Sequence, residues 1–274
     1  MKINKIYNDG EHELFDNAYI ARYKSTSGNE AILFVENQIR NNYIDIDLLD
    51  IFHKSISATF DNLCLNLEIE ETQKEILYTL GEVAEARSEE TGFHVKRVSK
   101  YCELLGELYG LSQRDIMLLT HASPIHDIGK VAIQDSILLK PGKLTGEEFN
   151  VIKSHTTIGY NLLRNSKREI LKAAAIIAHE HHERYDGKGY PRGLAGEEIH
   201  IYGRITAIAD VFDALGSPRV YKKAWVMNDI LNYFKEEKGK HFDPELVDIL
   251  FENLNKFLEI KRRYSDEAEG EAEL

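Results

Sequence analysis

Two cysteines, Cys64 and Cys102, are all that 274 residues contain. So small a number supplies neither a disulfide framework nor a thiolate metal motif. No apolar run approaches the roughly 20 residues that cross a bilayer. The first residues, MKINKIYNDGEHELF, are too polar for a signal peptide. These absences lead to the expectation of a cytoplasmic protein with no membrane partner. Basic residues are also short: 34 Lys and Arg stand against 46 Asp and Glu, a formal net charge of −12. That balance disfavours DNA or RNA as a partner. It leaves room for a small phosphorylated substrate, because bound metal ions reverse the local field. The closing stretch, SDEAEGEAEL, concentrates the acid, and 263–274 reads as a flexible acidic tail.

The chain changes character along its length. In AYIARYKSTSGNEAILFVE, residues 18–36, two apolar and aromatic runs flank STSGNE, which predicts a β-hairpin or meander. The piece is short for a free-standing domain, so 1–45 reads as a partial sensory-like α/β fragment. From Ile44 to about Arg87 there is no proline, and no glycine before Gly81. Leu49, Phe52, Ile56, Phe60, Leu63 and Leu67 recur at helical spacing. The run is a stalk, a coiled coil, or two helices broken near Glu68–Glu71. Residues 46–89 are expected to be amphipathic connector helices that pair a homodimer; the rival is an ordinary helix packed on its own domain. Beyond them, SKYCELLGELYGL, SQRDIMLLTHASPIHDIG, LTGEEFNVIKSHTTIGYNLL, REILKAAAIIAHEHHE and GRITAIADVFDALGS each predict a helix, and DPELVDILFENLNKFLEI a closing one. Ser112 and Thr145 are the expected N-caps, and Gly110 an expected helix end.

Imidazoles and carboxylates recur inside these apolar segments: His94, His126, Asp127, His155, His181, His182 and Asp210. A buried unpaired Asp or His is costly, so several in one fold should share partners. The cheapest shared partner is metal, and nitrogen and oxygen donors without thiolate suit Fe, Mn, Zn, Co or Ni. A purely hydrogen-bonded His–Asp core is the competing reading. On a helix the side chains of His126 and Asp127, or of His181 and His182, point about 100° apart. One pair can therefore serve two ions, with Asp127 the better bridge. Two metals about 3.5–4 Å apart are a usual device for hydrolysing phosphate esters. Lys130 follows Asp127 by three residues and lies close enough to meet phosphate charge.

Taken in order, His94, HDIGK at 126–130, His155, HHE at 181–183, DGKGYP at 186–191 and Asp210 resemble the HD-GYP family. This is the branch of HD phosphohydrolases associated with hydrolysis of cyclic di-GMP. The resemblance covers roughly 72–260, and it implies a mainly α fold: an HD-type helical bundle, placed at 90–262, behind the long connector. It also implies two or three divalent metal ions, most often Fe or Mn. His94, His126, Asp127, His155, His181, His182 and Asp210 match the family's metal ligands. Glu90 matches the extra carboxylate of trinuclear members.

Asp127 and Lys130 are then the catalytic residues, opening cyclic di-GMP to linear pGpG and further to GMP if a third metal is held. Arg219 and Lys222, in SPRVYKKAW, resemble the cations that hold substrate phosphates, although Val220 stands where the family typically has proline. Arg184 and Lys188 would add positive potential at the cleft mouth, and Tyr190 would stack or hydrogen-bond at its rim. Glu183 would orient an imidazole or hold the loop, while His179 has no family role. The motif surroundings resemble output domains of two-component response regulators, which implies an upstream receiver or sensory domain missing from this chain. Two alternatives stand beside this reading: an HD hydrolase of another cyclic dinucleotide or nucleotide, and a non-catalytic nucleotide-binding signalling module.

Overall fold

A computed structural model describes residues 12–15, 18–36, 46–88, 92–217 and 224–265. It divides into two units, Met1–Lys74 and Glu75–Leu274. In the first, β1 (His12–Phe15), β2 (Ala18–Lys24) and β3 (Glu30–Glu36) form an antiparallel sheet in that order. The predicted hairpin is therefore present, with Ala18 opposite Glu36 and Lys24 opposite Glu30. Tyr19, Ala21 and Tyr23 alternate onto one face, as a strand period of two dictates. They pack against Leu49, Ile56 and Phe60.

Those three side chains belong to α1 (Ile46–Ala86), one uninterrupted helix of 41 residues. No break occurs near Glu68–Glu71, because neither proline nor glycine interrupts that stretch. No helix among the described residues is long and apolar enough to cross a membrane.

The second unit begins with the last turns of α1 and continues through α2 (Gly92–Tyr109), α3 (Gln113–Ala122), the short α4 (Asp135–Leu138), α5 (Gly146–Leu163) and α6 (Glu169–Glu180). Then come α7 (Ile201–Gly216), α8 (Met227–Glu237), α9 (Pro244–Glu252) and α10 (Leu254–Arg263). The caps fall where the sequence placed them. The Ser112 hydroxyl accepts from the Asp115 N–H, and Thr145 forms a reciprocal capping box with Glu148. The closing segment departs from expectation by splitting in two at Asn253. The Asn253 side-chain amide donates to the Ile249 carbonyl at 3.0 Å, competing with helix continuation.

One apolar core joins these helices through Leu105, Leu119, Ile177, Ile208 and Leu250. Its centre is aromatic: Tyr101 meets Phe212 edge-on at 5.3 Å and stacks on Phe257 at 5.6 Å. The small side chains Ala173, Ala174, Ala175 and Ala178 are buried on α6. They let α6 lie close to α5 and α7, which carry His155 and Asp210.

Candidate metal centre

His126 and Asp127 do not sit on an α-helix. After α3 the chain makes two 3-10 turns, Ser123–Ile125 and Ile128–Ala132, and Asp127 joins them at φ −101 and ψ 15. In a 3-10 turn residues three apart eclipse each other. Lys130 therefore swings back over Asp127, its Nζ 2.7 Å from Oδ2. The second turn lies against α5 at Gly129, where a Cβ would meet the His155 carbonyl oxygen at 1.9 Å. Only glycine permits that approach, and it brings His155 Nε2 to 2.9 Å from Asp127 Oδ1.

Two groups of donors converge. Asp127, His155, His181 and His182 offer ligand atoms within 4.8 Å of one another, and Glu85, His94 and His126 do the same. Asp127 lies between them: Oδ1 is 3.5 Å from His181 Nε2, and Oδ2 is 3.5 Å from His126 Nε2. Asp210 joins the second group, with Oδ1 3.6 Å from His94 Nε2 and 4.0 Å from His126 Nε2. His181 caps α6 and His182 lies in the turn beyond it.

The imidazoles are oriented for ligation. Nδ1 of His126, His155 and His181 donates to the carbonyls of Ser123, Ile152 and Ile177 at 2.9, 2.7 and 2.9 Å. Nδ1 of His94 faces Asp213 Oδ2 at 2.9 Å. Acceptors at Nδ1 put the proton there and leave a lone pair on Nε2. Nε2 of His126 and of His181 is buried with no hydrogen bond among the described residues, while His155 Nε2 faces Asp127 Oδ1 at 2.9 Å. Orphaned acceptors facing one another are expensive unless a cation joins them. The His155–Asp127 contact alone would suit a hydrogen-bonded core, but the facing Nε2 atoms of His126 and His181 fit divalent metal better.

Electrostatics agree. Burial opposes ionisation of Asp127, but Lys130, His155 and His126 outweigh it and hold the carboxyl well below its usual range. Burial, then the His181 and His155 rings, push His182 well below 6.5. Burial likewise lowers His181, despite Asp127 nearby. Burial opposes the charged form of His155 too, but Asp127 outweighs it and raises that ring above its ordinary value. An ionised Asp127 beside His181 and His182 shifted toward the neutral form suits metal binding, and a metal at His155 would displace its proton.

Three side chains have roles the sequence reading did not assign. Glu85 is 1% exposed, lies 3.9 Å from His126 Nε2 and takes the Lys130 ammonium at 3.2 Å. It reaches the centre because Gly81, one turn earlier, lets α1 touch the Pro124 backbone, where a Cβ would be 2.2 Å from the carbonyl oxygen. Asp213, one turn after Asp210, orients His94 and binds Arg97 at 2.7 and 2.9 Å through both oxygens. The i,i+3 spacings of Asp210 to Asp213 and of His94 to Arg97 were the available signals. We expect Asp213→Asn to weaken metal binding at the His94 cluster about 10–100-fold. Titrating metal into apo protein checks this; unchanged affinity would show that Asp213 only packs.

The DGKGYP loop is tied down by two glutamates. Glu183 accepts the N–H groups of Arg192 and Leu194 at 2.7 and 3.1 Å, so of its two expected roles it holds the loop. Glu180 accepts the His200 N–H at 2.6 Å and pairs with the Arg192 guanidinium. Tyr190 N–H donates to the His182 carbonyl at 3.1 Å, and the two rings lie 4.9 Å apart. Arg184 is paired with Glu237 at 2.8 Å and with Asp186 at 3.3 Å. Lys188 reaches Asp186 at 3.5 Å with 79% of its side chain exposed. His179 turns away from the donors and stacks on Tyr160 at 4.3 Å. Glu90, Arg219 and Lys222 lie outside the described residues.

Behind the loop, His241 stacks on Phe242. Burial, reinforced by Arg184, lowers its pKa from the ordinary 6.5 to about 4. Between those values the unfolded chain binds the extra proton. Stability from the neutral imidazole is therefore whole above pH 6.5 and falls as pH drops toward 4, by up to about 3 kcal/mol. Melting curves of the wild type and His241→Gln across that window test this; the variant should show the shallower loss.

A family model described as HD domain matches residues 78–246. The chain belongs to the HD-domain family. A domain of unknown function, DUF3369, matches residues 1–69. The 3'3'-cGAMP-specific phosphodiesterase 2 of Vibrio cholerae is 44% identical over 252 residues, 92% of this chain and 48% of that protein. The cyclic di-GMP phosphodiesterase response regulator RpfG of Xanthomonas campestris is 46% identical over 198 residues, 72% of this chain and 52% of that one. A Thermotoga maritima cyclic di-GMP phosphodiesterase is 42% identical over 200 residues, 73% of this chain and 54% of that protein. The chain thus spans about half the length of these relatives. The crystal structure of a V. cholerae cyclic GMP-AMP specific phosphodiesterase, V-cGAP3, shares the fold, with a TM-score of 0.51 at 19% identity over 70% of this chain and 53% of that one. The sequence resembles HD-GYP-type cyclic-dinucleotide phosphodiesterases, including response-regulator output domains.

Proposed function

We propose that this HD-domain protein is a metal-dependent phosphodiesterase that opens the ring of a cyclic dinucleotide. The observation carrying the proposal is the convergence of the buried Nε2 atoms of His126, His155 and His181 on the ionised Asp127. Asp127, His155, His181 and His182 would hold one ion; Glu85, His94, His126 and Asp210 would hold another. When bound, divalent metal supplies Lewis-acid activation of water and of the phosphoryl oxygens. Asp127 serves both groups through its two oxygens. Lys130, held by Asp127 and Glu85, keeps a positive charge at the edge of the centre, where a phosphoryl oxygen gains charge. Fe or Mn is our expectation for the ions, with Glu90 a further ligand if a third is held.

The substrate expectation widens from cyclic di-GMP to cyclic dinucleotides. Relatives named for cyclic di-GMP and for 3'3'-cGAMP both align well, and the alignment that runs through the first unit is to a cGAMP-specific protein. Incubating Fe- or Mn-loaded protein with cyclic di-GMP, 3'3'-cGAMP and cyclic di-AMP, and separating the products, tests the assignment. Linear dinucleotide is the expected product; intact substrate in every metal form overturns it. A homodimer remains our proposal for α1, where Ile69, Ile76 and Val83 are exposed at seven-residue intervals beside Leu80.

A further inference from the structure

We propose that Phe149, Lys153 and Tyr190 form a guanine-reading subsite beside the metal centre. This rests on the cyclic-dinucleotide reading above and assigns base preference to Phe149 and Lys153, which lie outside the motifs named above, acting with Tyr190 of DGKGYP. Helix α5 carries Phe149 and Lys153 one turn apart, just before His155. Phe149 is 45% exposed and lies 6.5 Å from the Tyr190 ring, edge to face. The Lys153 ammonium sits over both rings, 4.8 Å from the Phe149 centroid and 5.2 Å from that of Tyr190. Tyr190 in turn rests 4.9 Å from His182, so the aromatic surface runs without a gap from the buried donors to solvent. A lone exposed phenylalanine needs no explanation. Here, however, the phenylalanine shares an ammonium with a second ring, and among the described residues that ammonium has no carboxylate partner.

The chemistry divides between the groups. A phosphate held at the metals leaves its nucleoside base one ribose away, at the rim that Tyr190 and Phe149 form. An aromatic face stacks any base with little selectivity. The ammonium does select. Guanine presents N7 and O6 as neighbouring acceptors, which a lysine can contact together, whereas adenine sets a donor amino group beside N7. Stacking on Phe149 therefore supplies affinity, and Lys153 supplies preference for guanine.

The test measures kcat/KM for cyclic di-GMP and cyclic di-AMP in the wild type, Lys153→Met, Lys153→Arg and Phe149→Ala, together with binding of GMP and AMP. We expect a wild-type preference for the guanine substrate. Lys153→Met should cut that preference about tenfold or more, and Lys153→Arg should keep it. Phe149→Ala should weaken both substrates about tenfold, chiefly in KM, and leave their ratio alone. A Lys153→Met ratio equal to the wild type, or no wild-type preference, overturns the subsite. If the wild type opens no cyclic dinucleotide, the proposed function fails separately. The subsite is then judged on mononucleotides: GMP preferred over AMP and lost in Lys153→Met supports it, and equal binding sinks it.

Discussion

Asp127→Ala should lower cyclic-dinucleotide turnover about 10³-fold or more. The substitution removes the one carboxylate whose oxygens face both donor groups. It also takes from Lys130 its carboxylate partner at 2.7 Å, and removes the anion that faces His126, His155 and His181. Bound metal, measured by elemental analysis, should fall with activity. Helix content should persist, because the apolar core lies elsewhere, on Leu119, Ile177, Ile208 and Phe212. Undiminished turnover in Asp127→Ala would falsify the assignment of this site. Lost turnover with full metal content would keep Asp127 in the chemistry but remove it from ligation.

Gly129→Ala should be severe for a different reason. The added methyl would sit 1.9 Å from the His155 carbonyl oxygen and 2.7 Å from the Gly159 nitrogen. Both obstacles are helix backbone, so neither can rotate away, and the turn must part from α5. We expect a loss of about 3 kcal/mol or more in unfolding free energy. Metal affinity should drop as well, because Asp127 withdraws from His155. Gly146→Ala makes the control, since nothing lies within 4 Å of the position its Cβ would occupy. Denaturant melts of the two variants decide the matter; equal stabilities would mean that the close approach is not essential.

The chemistry of the centre could be read from residue types alone. Imidazoles and carboxylates without thiolates, set inside apolar segments, select a narrow class of ligand, and most of the expected donors do meet. Element types were also accessible, because helical period and caps such as Ser112 and Thr145 are local properties. The α3 segment exposed the limit of that approach. Its apolar period predicted one helix through HDIG, yet the chain leaves helix at Ser123. Pro124 and the packing of Gly129 on α5 redirect it, and the second of these depends on a residue in another helix.

Glu85 shows the same limit from the other side. In GEVAEAR it looks like any solvated glutamate on a long amphipathic helix. Its burial depends on Gly81 meeting Pro124, more than forty positions away in sequence. Asp213 became a partner of His94 only when α2 and α7 packed together.

What the residues determine alone is therefore the donor set, the helical period, the caps and the scarcity of thiol and of base, since each depends on side-chain chemistry or on neighbours within a turn. What only the tertiary structure decides is which carboxylates complete the set, that His179 turns outward to Tyr160, and that Phe149 and Lys153 stand beside Tyr190. These are contacts between separate elements, and close packing, rather than local spacing, determines which distant side chains meet.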